Sequence, residues 1–202
     1  MENYIVINGQ KTELTDKMLE AMKPFMPAKE MKLADVAVGS VVKIGGRELL
    51  VLDQTGDTTL VITKDLYIGA SEFGCNNKFV GSIVAEHCDK FAGEIAKEVG
   101  DENIVLHDLD LTSDDGLKDY GTVERKASLL TEDMYRKYVD ILDTVNPKKY
   151  WWLATPYSTK RHENDSWIRC VAPSGSIDFV HYDLDNGVRP FCILKSTIFV
   201  SG

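Results

Sequence analysis

The chain has 202 residues, with 23 Lys and Arg against 32 Asp and Glu and a formal net charge of −9. That balance argues against gripping nucleic-acid phosphates by bulk electrostatics, while 44% hydrophobic and 27% charged residues describe a globular chain able to bury its own core. No apolar run approaches the roughly 20 residues that a membrane-crossing helix needs, and Met1-Glu2-Asn3-Tyr4 opens no signal peptide, so a cytoplasmic protein is expected.

The first element expected is a β-hairpin over 3–14. Tyr4-Ile5-Val6-Ile7 is rich in β-branched residues, and Asn8-Gly9 tolerates the positive φ of a type I′ turn. Thr15 caps a short helix over 16–23, which Pro24 and Pro27 end. Residues 24–32 read as a linker. The first 30 residues therefore form a small hairpin–helix appendage ahead of a domain over 31–202.

From Val38 to Lys64 short β-rich runs are broken by Gly45-Gly46 and by Thr55-Gly56-Asp57, the signature of an antiparallel meander. Ser82 caps a helix over 83–99, with Ile83, Val84, His87, Phe91, Ile95 and Val99 on one face and Gly100 at its end. The acidic stretch 101–120, with Asp114-Asp115-Gly116, reads as an exposed loop. Thr131 opens a second helix over 132–142, stopped by Asn146-Pro147. Strands return at 151–154, 167–171, 177–182 and 188–194, with Ser174-Gly175 and Asn186-Gly187 as turns. Strands at both ends with helices between them give an α+β fold.

No constellation of reactive residues assembles a catalytic site. Asp108, Asp110, Asp114 and Asp115 fail the spacing of a calcium loop, because the glycine arrives one residue late and Gly121 stands where the glutamate belongs. Ser174 lacks the Gly-x-Ser-x-Gly elbow of a hydrolase. Cys170 with His162 or His181 is the nearest approach to a thiol–imidazole pair, but it alternates within a strand and reads as a core cysteine. The four cysteines and four histidines are scattered, so neither a zinc site nor any cofactor is expected. All three tryptophans fall in the last third, with Tyr157, Phe179 and Tyr182. Those in loops are candidate contacts to a partner.

Several C-terminal segments carry a resemblance: Trp151-Trp152-Leu153-Ala154-Thr155-Pro156, Cys170-Val171-Ala172-Pro173-Ser174-Gly175-Ser176-Ile177, Asn186-Gly187-Val188-Arg189-Pro190 and Ser196-Thr197-Ile198-Phe199. Upstream, Gly56 to Asp65, Phe73-Gly74, Asn76-Asn77, Asp110-Leu111-Thr112 and Ser128 to Thr131 follow in the same order. Over roughly residues 35–200 the set resembles an uncharacterised family of Firmicutes and prophage proteins. That family looks like a variant of the C-type-lectin-like fold, shared with formylglycine-generating enzymes. The resemblance implies small twisted antiparallel sheets with two helices, long loops on one face, and structural roles for Trp151, Trp152, Arg189 and Pro190. A buried Arg189 would need carboxylate or carbonyl acceptors. The calcium and sugar motifs of true lectins are missing, as are the paired cysteines of the enzymes.

The expected function is a non-catalytic binding module, prophage-associated, that presents loops 157–166 and 178–187 through Tyr157, Arg161, His162, Trp167, Tyr182, Asp183 and Asp185. Its partner is a protein or a glycan, with no direct nucleic-acid or membrane contact, and the appendage offers a route to a homodimer. The alternative is a phage inhibitor of a bacterial defence nuclease, working through the acidic surface of 101–119.

Overall fold

The structure, a computed structural model, describes residues 30–201 together with 4–7, 10–13, 15, 17 and 18. Strands β1 (Tyr4–Ile7) and β2 (Gln10–Glu13) pair antiparallel with Ile7 opposite Gln10, as the hairpin reading requires. The Asn8-Gly9 turn, Pro24, Pro27 and most of the helix expected over 16–23 lie outside the described residues. Met18 N–H does donate to the Thr15 carbonyl at 2.9 Å, the first turn that a Thr15 cap would open. The linker expected up to residue 32 ends earlier. Glu30–Lys32 is strand β3, because Met31 is an apolar residue between two charged ones and turns its side chain towards the core.

The largest sheet is built on the predicted meander, β4 (Val41–Ile44), β5 (Arg47–Thr55) and β6 (Thr58–Thr63). It is completed by β8 (Ile104–Val105), β11 (Ala127–Ser128), β16 (Phe191–Lys195) and β17 (Phe199–Ser201). Its order is β11-β16-β6-β5-β4-β17-β3, with β8 also on β16. Leu49 and Val51 face one core while Leu50 and Leu52 face another, so β5 is buried on both sides and reads as a continuous apolar run.

A helix covers each face. Helix α1 (Ile83–Val99) starts where Ser82 Oγ accepts the Ala85 N–H at 3.1 Å and ends at Gly100, whose φ of 87° favours glycine. Its buried stripe runs through Val84, Ala85, Cys88, Phe91, Ala92 and Ile95, and the face expected through Ile83 and His87 is rotated. Ile83 is 39% exposed. Ala85, Cys88 and Ala92 are small enough for the helix to lie close to the sheet. Helix α2 (Glu132–Asp143), capped by Thr131, packs Tyr135, Tyr138 and Leu142 into the second core with Trp151 and Phe191.

A second sheet of five strands takes the order β14-β13-β12-β15-β7. Its members are β7 (Ile68–Ser71), β12 (Trp151–Pro156), β13 (Trp167–Val171), β14 (Ile177–His181) and β15 (Asn186–Val188). The expected strand over 188–194 is thus two strands in two sheets, with Arg189-Pro190 as the crossing. The Pro190 carbonyl accepts the Thr63 N–H at 3.1 Å, and proline itself has no N–H to continue a ladder. Asn186-Gly187 is strand rather than turn: the Leu66 side chain lies 2.5 Å from where a Cβ on Gly187 would sit, so the glycine serves close packing.

Trp151, Trp152 and Arg189 are buried. Arg189 donates from Nε to the Thr63 carbonyl at 2.7 Å and from Nη2 to the Lys64 carbonyl at 2.9 Å, and burial pushes its guanidinium pKa down to about 10. The acidic stretch is not an exposed loop throughout. It contains β8 and β9 (His107–Asp110), and β9 pairs with β10 (Thr122–Arg125). Leu109 is buried between exposed Asp108 and Asp110, so the charges are the outer half of an alternating strand. The described residues therefore form a mixed fold of curled, mostly antiparallel sheets with two helices.

Candidate binding surface

Strands β13 and β14 pair with Trp167 opposite His181 and Arg169 opposite Phe179. Alternation sends Ile168 and Cys170 into the first core, and Trp167, Arg169, Phe179 and His181 to the other face. At one end of that face Val171 and Ile177 pack into the core under α2, and the other end is open. The aromatic rings there form a ladder. Tyr157 and Phe179 have centroids 4.9 Å apart, Trp167 and Phe179 5.7 Å, Trp167 and His181 5.5 Å, and His181 and Tyr182 4.4 Å. The Arg169 guanidinium lies 5.3 Å from the Tyr157 ring centre and 5.7 Å from that of Phe179. Trp167 remains 37% exposed, Phe179 43% and Leu184 50%.

Behind the ladder Arg169 is fixed by acids. It is ion-paired with Asp114, and its Nε lies 3.3 Å from Glu132 Oε2. Glu132 Oε1 accepts from Arg136 Nη2 at 2.6 Å. Burial raises the Glu132 pKa above the usual carboxylate range, and the neighbouring Asp114 carboxyl adds to the rise. Asp114, Glu132 and Arg136 border a cleft of about 150 Å³ at the start of α2, with Thr112, Thr131 and Thr155 on its walls.

The loop after Tyr157 is clamped to the acidic stretch. Arg161 pairs with Asp119, which also accepts from Thr159 Oγ1 at 2.6 Å. Asp115 Oδ2 accepts from Ser158 Oγ at 2.6 Å and lies 2.8 Å from His162 Nδ1, while Oδ1 accepts from Ser113 Oγ at 2.5 Å. Burial opposes ionisation of Asp115, but these donors outweigh it and hold the carboxyl well below its ordinary range. Buried Asn77 fastens the same loop. Its side chain donates to the carbonyls of Ser158 at 2.9 Å and Trp167 at 3.0 Å, accepts from Tyr120 Oη at 2.7 Å, and its N–H donates to the Asp165 carbonyl at 2.8 Å.

Of the residues expected to bind, Tyr157 and Trp167 belong to the ladder. Arg161 and His162 are exposed side chains, the guanidinium facing Asp119 and the His162 ring facing Asp115. Tyr182 is half-buried against the first core, so much of its ring packs the fold. Asp183 Oδ1 lies 2.6 Å from His181 Nδ1, and Asp185 is exposed beside it. Sequence reasoning left Phe179 and Arg169 out of the site. Alternation places both on the face of Trp167 only once the β13–β14 register is known.

Cys170 is buried, and burial pushes its thiol up to about 12, which removes the nucleophile from the thiol–imidazole pairing. Ser174 sits in a turn with its Oγ 2.8 Å from Ser176 Oγ. Among the described residues, no group of three or more His, Cys, Asp or Glu is placed to hold a metal ion. Nor is any helix among them long and apolar enough to cross a membrane. No family model matches the chain, and neither does any curated protein or solved structure.

Proposed function

We propose that the chain is a non-catalytic binding module whose aromatic face on β13 and β14 takes a protein partner with a basic surface. The observation that carries this reading is the ladder of Tyr157, Phe179 and Trp167 around Arg169, partly exposed on paired strands. Trp, Tyr and Arg dominate the energetic centres of protein interfaces, where they are held by packing and ringed by polar residues. The flanking loops supply that ring with exposed Glu163, Asp183 and Asp185, which complement a basic partner.

The acids nearest the face support binding over chemistry, because Asp114, Asp115 and Asp119 are engaged by Arg169, His162 and Arg161. The same pairing leaves less free charge for a nuclease-inhibiting acidic surface at 101–119. The motif order from Trp151 to Phe199 supports a C-type-lectin-like domain over 31–202, and the β1–β2 hairpin supports an appendage over 1–30. The prophage association rests on the resemblance in sequence.

The test is affinity capture from the native host with wild type, the double variant Trp167→Ala/Phe179→Ala and the control Asp108→Lys. A partner held by wild type and Asp108→Lys is expected to be lost from the double variant, with the far-UV circular dichroism of a folded chain retained. A partner retained by the double variant would place binding elsewhere.

A further inference from the structure

β14 is the outer strand of its sheet: it pairs with β13 and, among the described residues, with no other strand. The register decides which of its main-chain groups face outwards. At one end of the ladder Ala172 N–H donates to the Ser176 carbonyl at 2.8 Å, and at the other Tyr182 N–H donates to the Ser166 carbonyl at 2.9 Å. In an antiparallel pair, opposed residues that exchange hydrogen bonds alternate with opposed residues that do not. Stepping by two from either end, Cys170–Asp178 and Ile168–Val180 exchange hydrogen bonds. Ile177, Phe179 and His181 therefore turn their N–H and C=O groups away from β13.

Those outward groups are what an added strand would use. Two of them are already engaged. Asp178 Oδ1 accepts the Phe179 N–H at 2.8 Å, and the His181 carbonyl accepts the Leu184 N–H at 3.2 Å. Phe179 is the middle residue of β14, so its donor is the one an incoming strand cannot bypass. A strand that displaced Asp178 would also bring its own carbonyl against an unpaired carboxylate. The neighbouring side chains make such protection necessary, since Phe179 and Trp167 are exposed aromatics beside an open edge.

We propose that the Asp178 carboxylate is a plug on this sheet edge. It holds the Phe179 N–H so that a second copy of the chain cannot add a strand at β14, and it leaves the aromatic face to partners that bind side chains rather than main chain. The inference stands on strand register and holds whichever partner the face takes.

The experiment compares wild type with Asp178→Asn, which keeps an acceptor oxygen, and Asp178→Ala, which has none. Sedimentation velocity over a hundredfold concentration range reads self-association, and hydrogen exchange reads the Phe179 amide. In wild type and Asp178→Asn that amide is expected to exchange slowly despite its edge position. In Asp178→Ala at low concentration it should exchange about tenfold faster, the effect of losing a charged acceptor. Asp178→Ala should also associate as its concentration rises, beyond any association of wild type. Fast exchange of the Phe179 amide in wild type would overturn the proposal, and that reading is independent of whether either variant folds. Equal self-association of wild type and Asp178→Ala would overturn it too. So would Asp178→Asn associating as strongly as Asp178→Ala, which would assign the effect to charge rather than to the acceptor.

Discussion

His107 carries the clearest consequence of burial for a single residue. Its Nε2 lies 2.7 Å from Ser128 Oγ, its ring lies 4.7 Å from that of Phe191, and burial pushes its pKa from an ordinary 6.5 down to about 4. Between those values the unfolded chain binds a proton that the native state refuses. The contribution to stability from keeping His107 neutral is therefore fully present above 6.5 and is lost as pH falls towards 4. The size of the shift corresponds to about 2 kcal/mol between pH 7 and pH 5. His107→Gln, which keeps a hydrogen-bonding group and removes the titration, should flatten that part of the profile in urea denaturation. An unchanged slope would locate the acid sensitivity in other groups.

At the scale of elements, a buried amide fastens the loop between β12 and β13, whose own secondary structure is a single 3-10 turn at Lys160–His162. Asn77 bonds to Ser158, Trp167, Asp165 and Tyr120, tying its own segment to both ends of that loop and to the acidic stretch. Asn77→Ala would take the side-chain partner from the Ser158 carbonyl and the Tyr120 hydroxyl, while the Trp167 carbonyl keeps the Tyr157 N–H, a loss of about 2 kcal/mol in global stability. Limited proteolysis of that variant should cut first within 158–166, where the aspartate clamps and the main-chain bond from residue 77 to the Asp165 carbonyl would remain. Cleavage elsewhere at the same rate would show that Asp115 and Asp119 suffice to hold the loop. Helix α1 shows the opposite dependence, because Ser82 and Gly100 mark its ends from within the helix itself. The expected bounds of 83–99 match those observed, whereas its buried face needed the sheet beneath to define it.

For the whole molecule, the net charge of −9 sets a long-range field, while the aromatic face supplies the short-range contacts. Association with a basic partner should accordingly slow by about tenfold between low and physiological salt, with dissociation little changed. Surface plasmon resonance on the captured partner reads both rates, and a salt-insensitive on-rate would argue against charge steering. Features encoded locally were legible in the sequence: the pairing of 4–7 with 10–13 inside the hairpin expected over 3–14, the meander strands from Val41, both helix caps and the strand at Trp167. Each depends on side chains within a few residues of one another, acting on the nearest backbone. What escaped depended on distant segments. Asp119 pairs with Arg161 and Asp114 with Arg169, so a run of acids read as a solvated loop is half of an internal clamp. Asn186-Gly187 has the composition of a turn, but β7 and β12 make it a strand between them. Sequence by itself determined where helices start and strands alternate, because capping and side-chain periodicity act over single turns and pairs of residues. Only the tertiary structure decided which charges are neutralised and which aromatics share a face, because strand register brings together residues that no local pattern relates.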